Sequence, residues 1–370
     1  MLPDPRPFFI SLVDPRRETK NKLHVLGEII FIVLSAVLSG IEDWVGIQEF
    51  AEIKEEWLRK YLSLPNGIPS HDTLSDVMGR LSPKLFNACF LNWVEAALPS
   101  LAGEHIAIDG KTLRGSSQHG CGAIHLVSAF ACHARLVLAQ QAVDGKSNEI
   151  TAIPDLLSLL DLERATVSLD AMGCQKEIAQ QIIEAHADYV LAVKENHPKL
   201  HKQIQQHLDS LDHDDDGGLT QKETIDLGRR TEIRRYILSD QIENLSQKGA
   251  WAGLAAVGMV ESIRDVQGAV SVERRYFVTS LTDLERFAAA VRTHWGIENS
   301  EHWVLDVQFG EDRNRAGKDH SAENLALIRR MSLNLLRQNA KDKKSLRLRK
   351  TRAALDDRYR EELLFGGSVT

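Results

Sequence analysis

Three acidic residues stand in three different local settings, each suited to a carboxylate that holds a metal ion. Asp109 ends the run HIAID ahead of GKTLRG, and Asp170 ends ATVSLD ahead of AMGCQ. Glu298 lies inside HWGIENSEHWVLD, a segment patterned like a helix. Each Asp closes an apolar β-like run and precedes a turn or a helix start. Two strand-end carboxylates and one helical carboxylate can hold two Mg²⁺ ions, with Mn²⁺ as a substitute, for attack on a phosphodiester. Singly, each has a plainer reading. A DG pair after a strand is commonly a turn, Asp170 could cap the helix after it, and Glu298 could be an exposed helical acid. Together and unpartnered the three would repel one another, and a divalent cation is the natural compensation.

Polar residues cluster around all three. Arg292, His294, Trp295, His302 and Trp303 fall within twelve residues of one another. His294, Glu298 and His302 recur every four residues and share one helical face. That spacing could bind zinc, or it could flank a Glu with two imidazoles that touch phosphate or base. Lys111 and Arg114 follow the first Asp. Lys146, Ser147 and Asn148 form a polar turn, and Lys194 and Asn196 end a strand. Cations and amides at one edge could hold a DNA backbone; the plainer reading of each is surface turn chemistry.

The elements that must position these residues follow from periodicity. Residues 106–108, 125–131 and 136–140 read as strands, 151–160 as a helix, 166–169 as a strand, 176–187 as a helix and 189–193 as a strand. The order β-β-β-α-β-α-β matches an α/β mixed sheet of RNase H-like type. In that arrangement the first and fourth strands are neighbours, so Asp109 and Asp170 would face each other although 61 residues apart. Residues 197–286 interrupt the pattern as a largely β insertion, with strands at 234–238, 255–262 and 274–279. Helical pattern returns from Asp283 to about Arg337. The acidic run DSLDHDDDGG (209–218) lacks the spacing of a calcium loop and reads as a solvated loop.

Residues 1–100 read as an all-α N-terminal domain. Leu23, Leu26, Ile30, Val33 and Val37 recur at helical spacing and Gly40 can stop that helix. A second helix is expected over 43–61. Ser70 can cap a third, with Leu74, Val77, Met78 and Leu81 on its apolar face, and Pro83 opens a fourth. A turn followed by a capped helix could read DNA, with His71, Asp72, Ser75 and Arg80 offered to base edges. A helical bundle that only packs on its neighbour has the same pattern.

Composition bounds the function. The 370 residues suffice for two or three domains with a sizeable core. Cys89, Cys121, Cys132 and Cys174 show no C-x-x-C spacing, which argues against a zinc ribbon or a disulfide framework and fits a reducing cytoplasm. No apolar run is long enough to span a bilayer and no basic leader is visible. The net charge of −7 hides an asymmetry. Residues 313–352 hold 13 Lys/Arg against 3 Asp/Glu, which leaves −17 for the rest of the chain. The end of that stretch, KDKKSLRLRKTR (341–352), is either a phosphate-binding strip or a solvated tail.

IAIDGKTLRGS, KSNEI, LDAMGCQ, ADYVLAVKENHPKL and HWGIENSEHWVLDVQFGEDRNR closely resemble the H-repeat-associated insertion-sequence transposases of the bacterial DDE superfamily. The resemblance covers about residues 10–340. It implies a catalytic RNase H-like domain over 101–340, with the insertion at 197–286, after a transposase-associated domain over 1–100 and before a basic tail over 341–370. It implies Asp109, Asp170 and Glu298 as the catalytic and metal-binding triad. Lys111, Arg114, Lys194, Asn196, Arg292, His294, Trp295, Arg313 and Arg315 become expected DNA contacts. The implied partners are terminal inverted repeats and target DNA, bound by a homodimer near the nucleoid. Two departures stand out. Glu301 replaces a usually apolar residue, and KETIDLGRRTEIRRY differs from the family's usual stretch. A catalytically inactive DNA-binding relic and a structure-specific nuclease on the same fold are the alternative readings.

Overall fold

The computed structural model describes residues 2–20, 22–117, 122–143, 149–211, 219–226, 230–339 and 342–366. Lys146, Ser147 and Asn148, Cys121, and 212–218 of the acidic run lie outside them.

The N-terminal helices form where capping and periodicity place them. α1 (Leu26–Leu38) is buried along nearly its whole length, and Gly40 turns the chain after it at φ +90. Asp43 caps α2 (Trp44–Ile53) by accepting from the Gly46 amide at 2.8 Å. The single helix expected over 43–61 is broken at Lys54 (φ −101, ψ 18), which separates α2 from the short α3 (Glu55–Leu58). Ser70 caps α4 (His71–Arg80) through the Thr73 amide, and Ser82 with Pro83 opens α5 (Pro83–Glu95).

The sheet begins with β1 (His105–Leu113), antiparallel to β2 (Ile124–Ala131), which pairs antiparallel with β3 (Leu136–Val143). After α6 (Glu149–Ser158), β4 (Thr166–Leu169) lies parallel to β1; after α7 (Lys176–Glu184), β5 (Asp188–Val193) lies parallel to β4. Three antiparallel strands followed by two parallel ones, in the order β3-β2-β1-β4-β5, form the RNase H-like mixed sheet expected from the sequence.

The segment read as a β insertion is not a separate unit. It starts with α8 (Pro198–Leu211). Its four strands, β6 (Leu219–Asp226), β7 (Arg230–Ser239), β8 (Ala256–Val266) and β9 (Ala269–Thr279), prolong the same sheet to nine strands. β9 returns antiparallel to β5, with Leu191 opposite Val278. β6 escaped the sequence reading because it is an edge strand, and edges carry charged residues rather than an apolar run.

α9 (Leu284–Ile297) crosses one face of this sheet; Phe287 meets Phe277 edge-on at 5.6 Å. α8 covers the opposite face, where His201 meets Tyr276 at 5.1 Å. A π-helical turn (Glu298–His302) leads into α10 (Trp303–Phe309), and then α11 (Ser321–Gln338) runs buried between the sheet and the N-terminal helices.

One expectation fails at the C-terminal end of the chain. Residues 342–366 are not a loose basic tail: they form α12 (Leu346–Leu355) and α13 (Asp357–Phe365), docked on the N-terminal helices. Phe365 packs on Phe31 and Tyr61, the Arg360 guanidinium lies 3.9 Å over the Trp57 ring, and Trp57 Nε1 donates to Glu361 at 2.9 Å. Several cations counted in the basic stretch 313–352 point inward. Lys350 is buried over Phe309 and donates to the Gln308 carbonyl, while Arg329 and Arg330 are also buried. One continuous apolar core joins α1–α5, α11–α13 and the sheet. Among the described residues no helix is long and apolar enough to cross a membrane.

Candidate active site

Strand register brings the two aspartates together. In the parallel pair, Ala107 lies opposite Ser168 and Ile108 opposite Leu169, so the next step along both strands is Asp109 beside Asp170. Side chains alternate across a strand. His105 and Asp109 therefore share a face with Ser168 and Asp170, and it is the face that α9 covers: Ser168 Oγ bonds His294 Nδ1 at 2.8 Å.

The local settings differ from the sequence reading. Asp109 does not end its strand; β1 runs on to Leu113, paired to β2 at every step. Gly-Lys-Thr-Leu reads as a turn in isolation, yet the partner strand supplies hydrogen bonds that carry it onward. Asp170 does end β4, but it does not cap the following helix, which starts at Lys176 behind Gln175. Its Oδ1 accepts from the Met172 and Gly173 amides at 3.0 and 3.3 Å and fixes the tight turn after β4. Asn196 secures that turn from the neighbouring strand end: its Nδ2 donates to the Ala171 carbonyl at 2.5 Å.

Glu298 reaches the same place from the C-terminal end of α9. The π turn carries Glu298 and His302 together, with His302 Nδ1 2.9 Å from Glu298 Oε2 and 3.6 Å from Asp109 Oδ2. Donor atoms of Asp109, Glu298 and His302 lie within 4.8 Å of one another. Asp170 is outside this close set but lines, with Asp109, one cleft of about 810 Å³. The zinc spacing seen in the sequence is not realised as read: His294 faces Ser168, and the third donor comes from β1. Burial pushes the His294 imidazole down to about 4.

The expected DNA contacts separate into three groups. Lys194, His294 and Trp295 line the cleft, together with Arg275, whose guanidinium lies 4.5 Å over the Trp295 ring. Arg114, Arg292 and Arg313 are exposed and outside the cleft lining, each near a carboxylate: Asp312, Glu223 and Glu42. Arg315 is exposed on the loop after α10. Lys111 is different. It is buried, with its ammonium 2.6 Å from Asp306, 3.3 Å from Asp312 and 3.7 Å from Glu311. Its charge is directed to the protein, not to solvent, so it positions β1 rather than presenting a cation to phosphate. Ser168 and Arg275 escaped the sequence reading. The two-residue step from Ser168 to Asp170 was the available signal for the first; Arg275 had none, because its place depends on β9 closing against β5.

Glu301 is fully buried, 3.2 Å from the buried Arg330, which also pairs with Glu311 at 3.1 Å. It faces the core rather than the cleft. Of the altered stretch KETIDLGRRTEIRRY, residues 222–226 and 230–236 fall on β6 and β7, where Glu223 meets Arg292 and Arg234 lies 5.6 Å over Trp295.

Comparison with known proteins agrees with this architecture. The transposase DDE domain matches residues 101–335, and its associated N-terminal domain matches residues 7–94. This chain belongs to the DDE transposase family. It is 37% identical to the "H repeat-associated putative transposase YhhI" of Escherichia coli K12, over 98% of both chains. It is 39% identical to the "Putative transposase YncI" of E. coli O157:H7, over 96% of this chain and 93% of that one. A protein described only by its position 3′ of dhlA in Xanthobacter autotrophicus is 49% identical over 76% of this chain and 96% of its own. A remote likeness, with TM-score 0.44 and 11% identity, covers 97% of this chain and 82% of the piggyBac transposase in a synaptic complex with hairpin DNA.

Proposed function

We propose that this transposase cuts DNA at the ends of its own insertion sequence and joins the freed 3′-hydroxyl to target DNA. One observation carries the reading: the parallel register sets Asp170 beside Asp109 in one cleft, and the π turn brings Glu298 to the same edge. The donor set fits divalent metal. Asp109 and Asp170 line an open cleft and Glu298 lies close to Asp109, and carboxylate oxygens suit Mg²⁺ or Mn²⁺. Bound ions would activate the attacking oxygen and stabilise the leaving one, so that hydrolysis and strand joining share one site.

The chain's own residues supply the rest. Asp170 is held by its turn amides and Asn196 braces that turn, so the carboxylate is oriented before DNA arrives. Lys194, Arg275 and Trp295 at the cleft wall would hold backbone and bases, with Arg114, Arg292, Arg313 and Arg315 around it. Ends must be paired for transposition, so a homodimer on DNA is the expected assembly, in the cytoplasm at the nucleoid. We do not assign end recognition to α4 alone. That helix is clamped by α11, where Asn324 donates to the Met78 and Leu81 carbonyls, and Arg80 pairs with Asp76 at 3.0 Å. Glu301 gives no support to an inactive relic, since its charge is matched by Arg330 away from the cleft.

The test is strand cleavage of plasmid carrying the element's terminal repeats, in Mg²⁺, followed by a joining assay with a pre-cut end. Asp109→Asn, Asp170→Asn and Glu298→Gln should each lower both rates on the order of 10³-fold or more. DNA binding and the thermal midpoint should stay near wild type. A variant that cleaves at nearly the parent rate removes that residue from the triad. Cleavage without joining would support the nuclease reading instead.

A further inference from the structure

We propose that His302 is itself a metal ligand, making Asp109, Glu298 and His302 a mixed oxygen–nitrogen position that takes Mn²⁺ in preference to Mg²⁺. The inference rests on the functional reading above and says which ion fills one position of that site. His302 is 4% exposed, yet its ring is turned toward two carboxylates, 2.9 Å from Glu298 Oε2 and 3.6 Å from Asp109 Oδ2. Its other nitrogen, Nε2, is buried with no partner. Burying an imidazole costs desolvation, and a core histidine kept for packing usually satisfies both nitrogens. Here its Nδ1 faces two acids, Glu298 and Asp109. Both imidazoles are engaged through Nδ1, His294 with Ser168 Oγ at 2.8 Å and His302 with Glu298 Oε2 at 2.9 Å, but the partner of His302 is a carboxylate that an ion can share.

The geometry needs little adjustment. The three donors lie within 4.8 Å of one another. Metal–ligand bonds of about 2.1 Å set donors on one ion roughly 3–4 Å apart. Glu298, with 68% of its side chain exposed, can rotate to close that gap, while the buried His302 and the strand-held Asp109 stay fixed. The π turn is what makes the set: Glu298 and His302 face β1 while Glu301, between them, points into the core at Arg330. Mg²⁺ prefers an all-oxygen shell that keeps several waters, whereas Mn²⁺ accepts imidazole and keeps a six-coordinate shell open to phosphate oxygens. The unpartnered Nε2 forgoes the outer hydrogen bond that raises the basicity of most ligand histidines. The expected affinity is therefore that of an exchangeable ion, not of a permanent structural one.

Pulsed EPR of Mn²⁺ on the full-length protein tests this directly. Nitrogen modulation of the bound Mn²⁺ should appear, and should change frequency when the histidines are labelled with ¹⁵N. That experiment needs no variant. His302→Gln should remove the signal and weaken Mn²⁺ about tenfold or more, while Mg²⁺ measured by competition shifts by less than about twofold. Mn²⁺ binding that is lost in Asp109→Asn but shows no nitrogen coupling in the parent overturns the inference and leaves the carboxylate site standing. Coupling that survives in His302→Gln assigns the nitrogen elsewhere and also overturns it. Mn²⁺ binding indifferent to both Asp109→Asn and Glu298→Gln would instead sink the functional reading beneath it.

Discussion

Two sets of carboxylates occupy the same stretch of this molecule, one facing the cleft and one facing the core. Glu298 and Glu301 are three residues apart on one π turn; Asp109 and Lys111 are two apart on one strand. On the cleft side, Asp109, Glu298 and His302 lie close enough to share an ion. On the core side, Arg330 lies between Glu301 and Glu311, and Lys111 among Asp306, Glu311 and Asp312. The same side-chain chemistry thus does opposite work a few ångströms apart. Acids matched by buried cations fix β1, the π turn and α11 against one another. Acids that converge at an open cleft are the ones that can take a cation from outside.

The largest effect on this contrast should come from removing the central cation. Arg330→Met leaves Glu301 and Glu311 buried without their counter-charge. Breaking a buried pair from one side costs about 3–5 kcal/mol. Urea unfolding should therefore show a large drop in midpoint, and the soluble fraction should fall. Asp109→Asn, on the open side, should leave that midpoint unchanged or slightly raised, because it relieves repulsion. If Arg330→Met unfolds like the parent, the core acids are protonated or hydrated and the distinction between the two sets collapses.

That distinction was only half legible in the sequence. The aspartates were readable, because the apolar runs before Asp109 and Asp170 specify strands and the strand order makes them neighbours. Glu298 was readable only through its long unusual block. The role of Lys111 was not, because its partners Asp306, Glu311 and Asp312 lie some 200 residues away and no local pattern links them. Glu301 looked like an intruding charge for the same reason: Arg330 sits on a helix whose apolar spacing gives no sign of a buried arginine. The C-terminal helices show the limit most clearly. Lys350 and Arg360 count as surface cations in any composition, yet aromatic rings at Phe309 and Trp57 take them in. Charge counting assumes exposure, and exposure is a tertiary property.

A smaller effect concerns the two imidazoles that meet at Ser168. Burial pushes His105 down to about 3, and it bonds Ser168 Oγ at 2.7 Å beneath α9. His294 is pushed down to about 4 by the same cause. The folded chain keeps both neutral where the unfolded chain, with histidines near 6.5, takes up protons. The unfolded state then binds more protons, so stability rises with pH in that window. It should be fully present above about 6.5 and fall as pH drops toward 4 and then 3. His105→Asn should flatten the slope of urea midpoint against pH between 6.5 and 4. A slope unchanged in that variant would mean that other groups carry the acid response.

The smallest effect should come from an ion pair of the same chemistry placed at the rim. Arg313 lies 3.8 Å from Glu42, but 76% of its side chain is exposed, against none of Arg330. Water and salt screen such a pair, and holding two long side chains together costs entropy, so exposed pairs contribute little to stability. Arg313→Ala should leave the urea midpoint where it is. Its effect, if the residue touches phosphate as proposed, belongs to DNA binding and should be modest and independent of sequence. One lost phosphate contact lowers the slope of log affinity against log salt by about 0.9. Titrations of terminal-repeat and scrambled duplexes over a range of salt would measure both. An unchanged slope on both duplexes would take Arg313 out of the DNA surface. A loss confined to the terminal repeat would make it a reader of bases rather than of backbone.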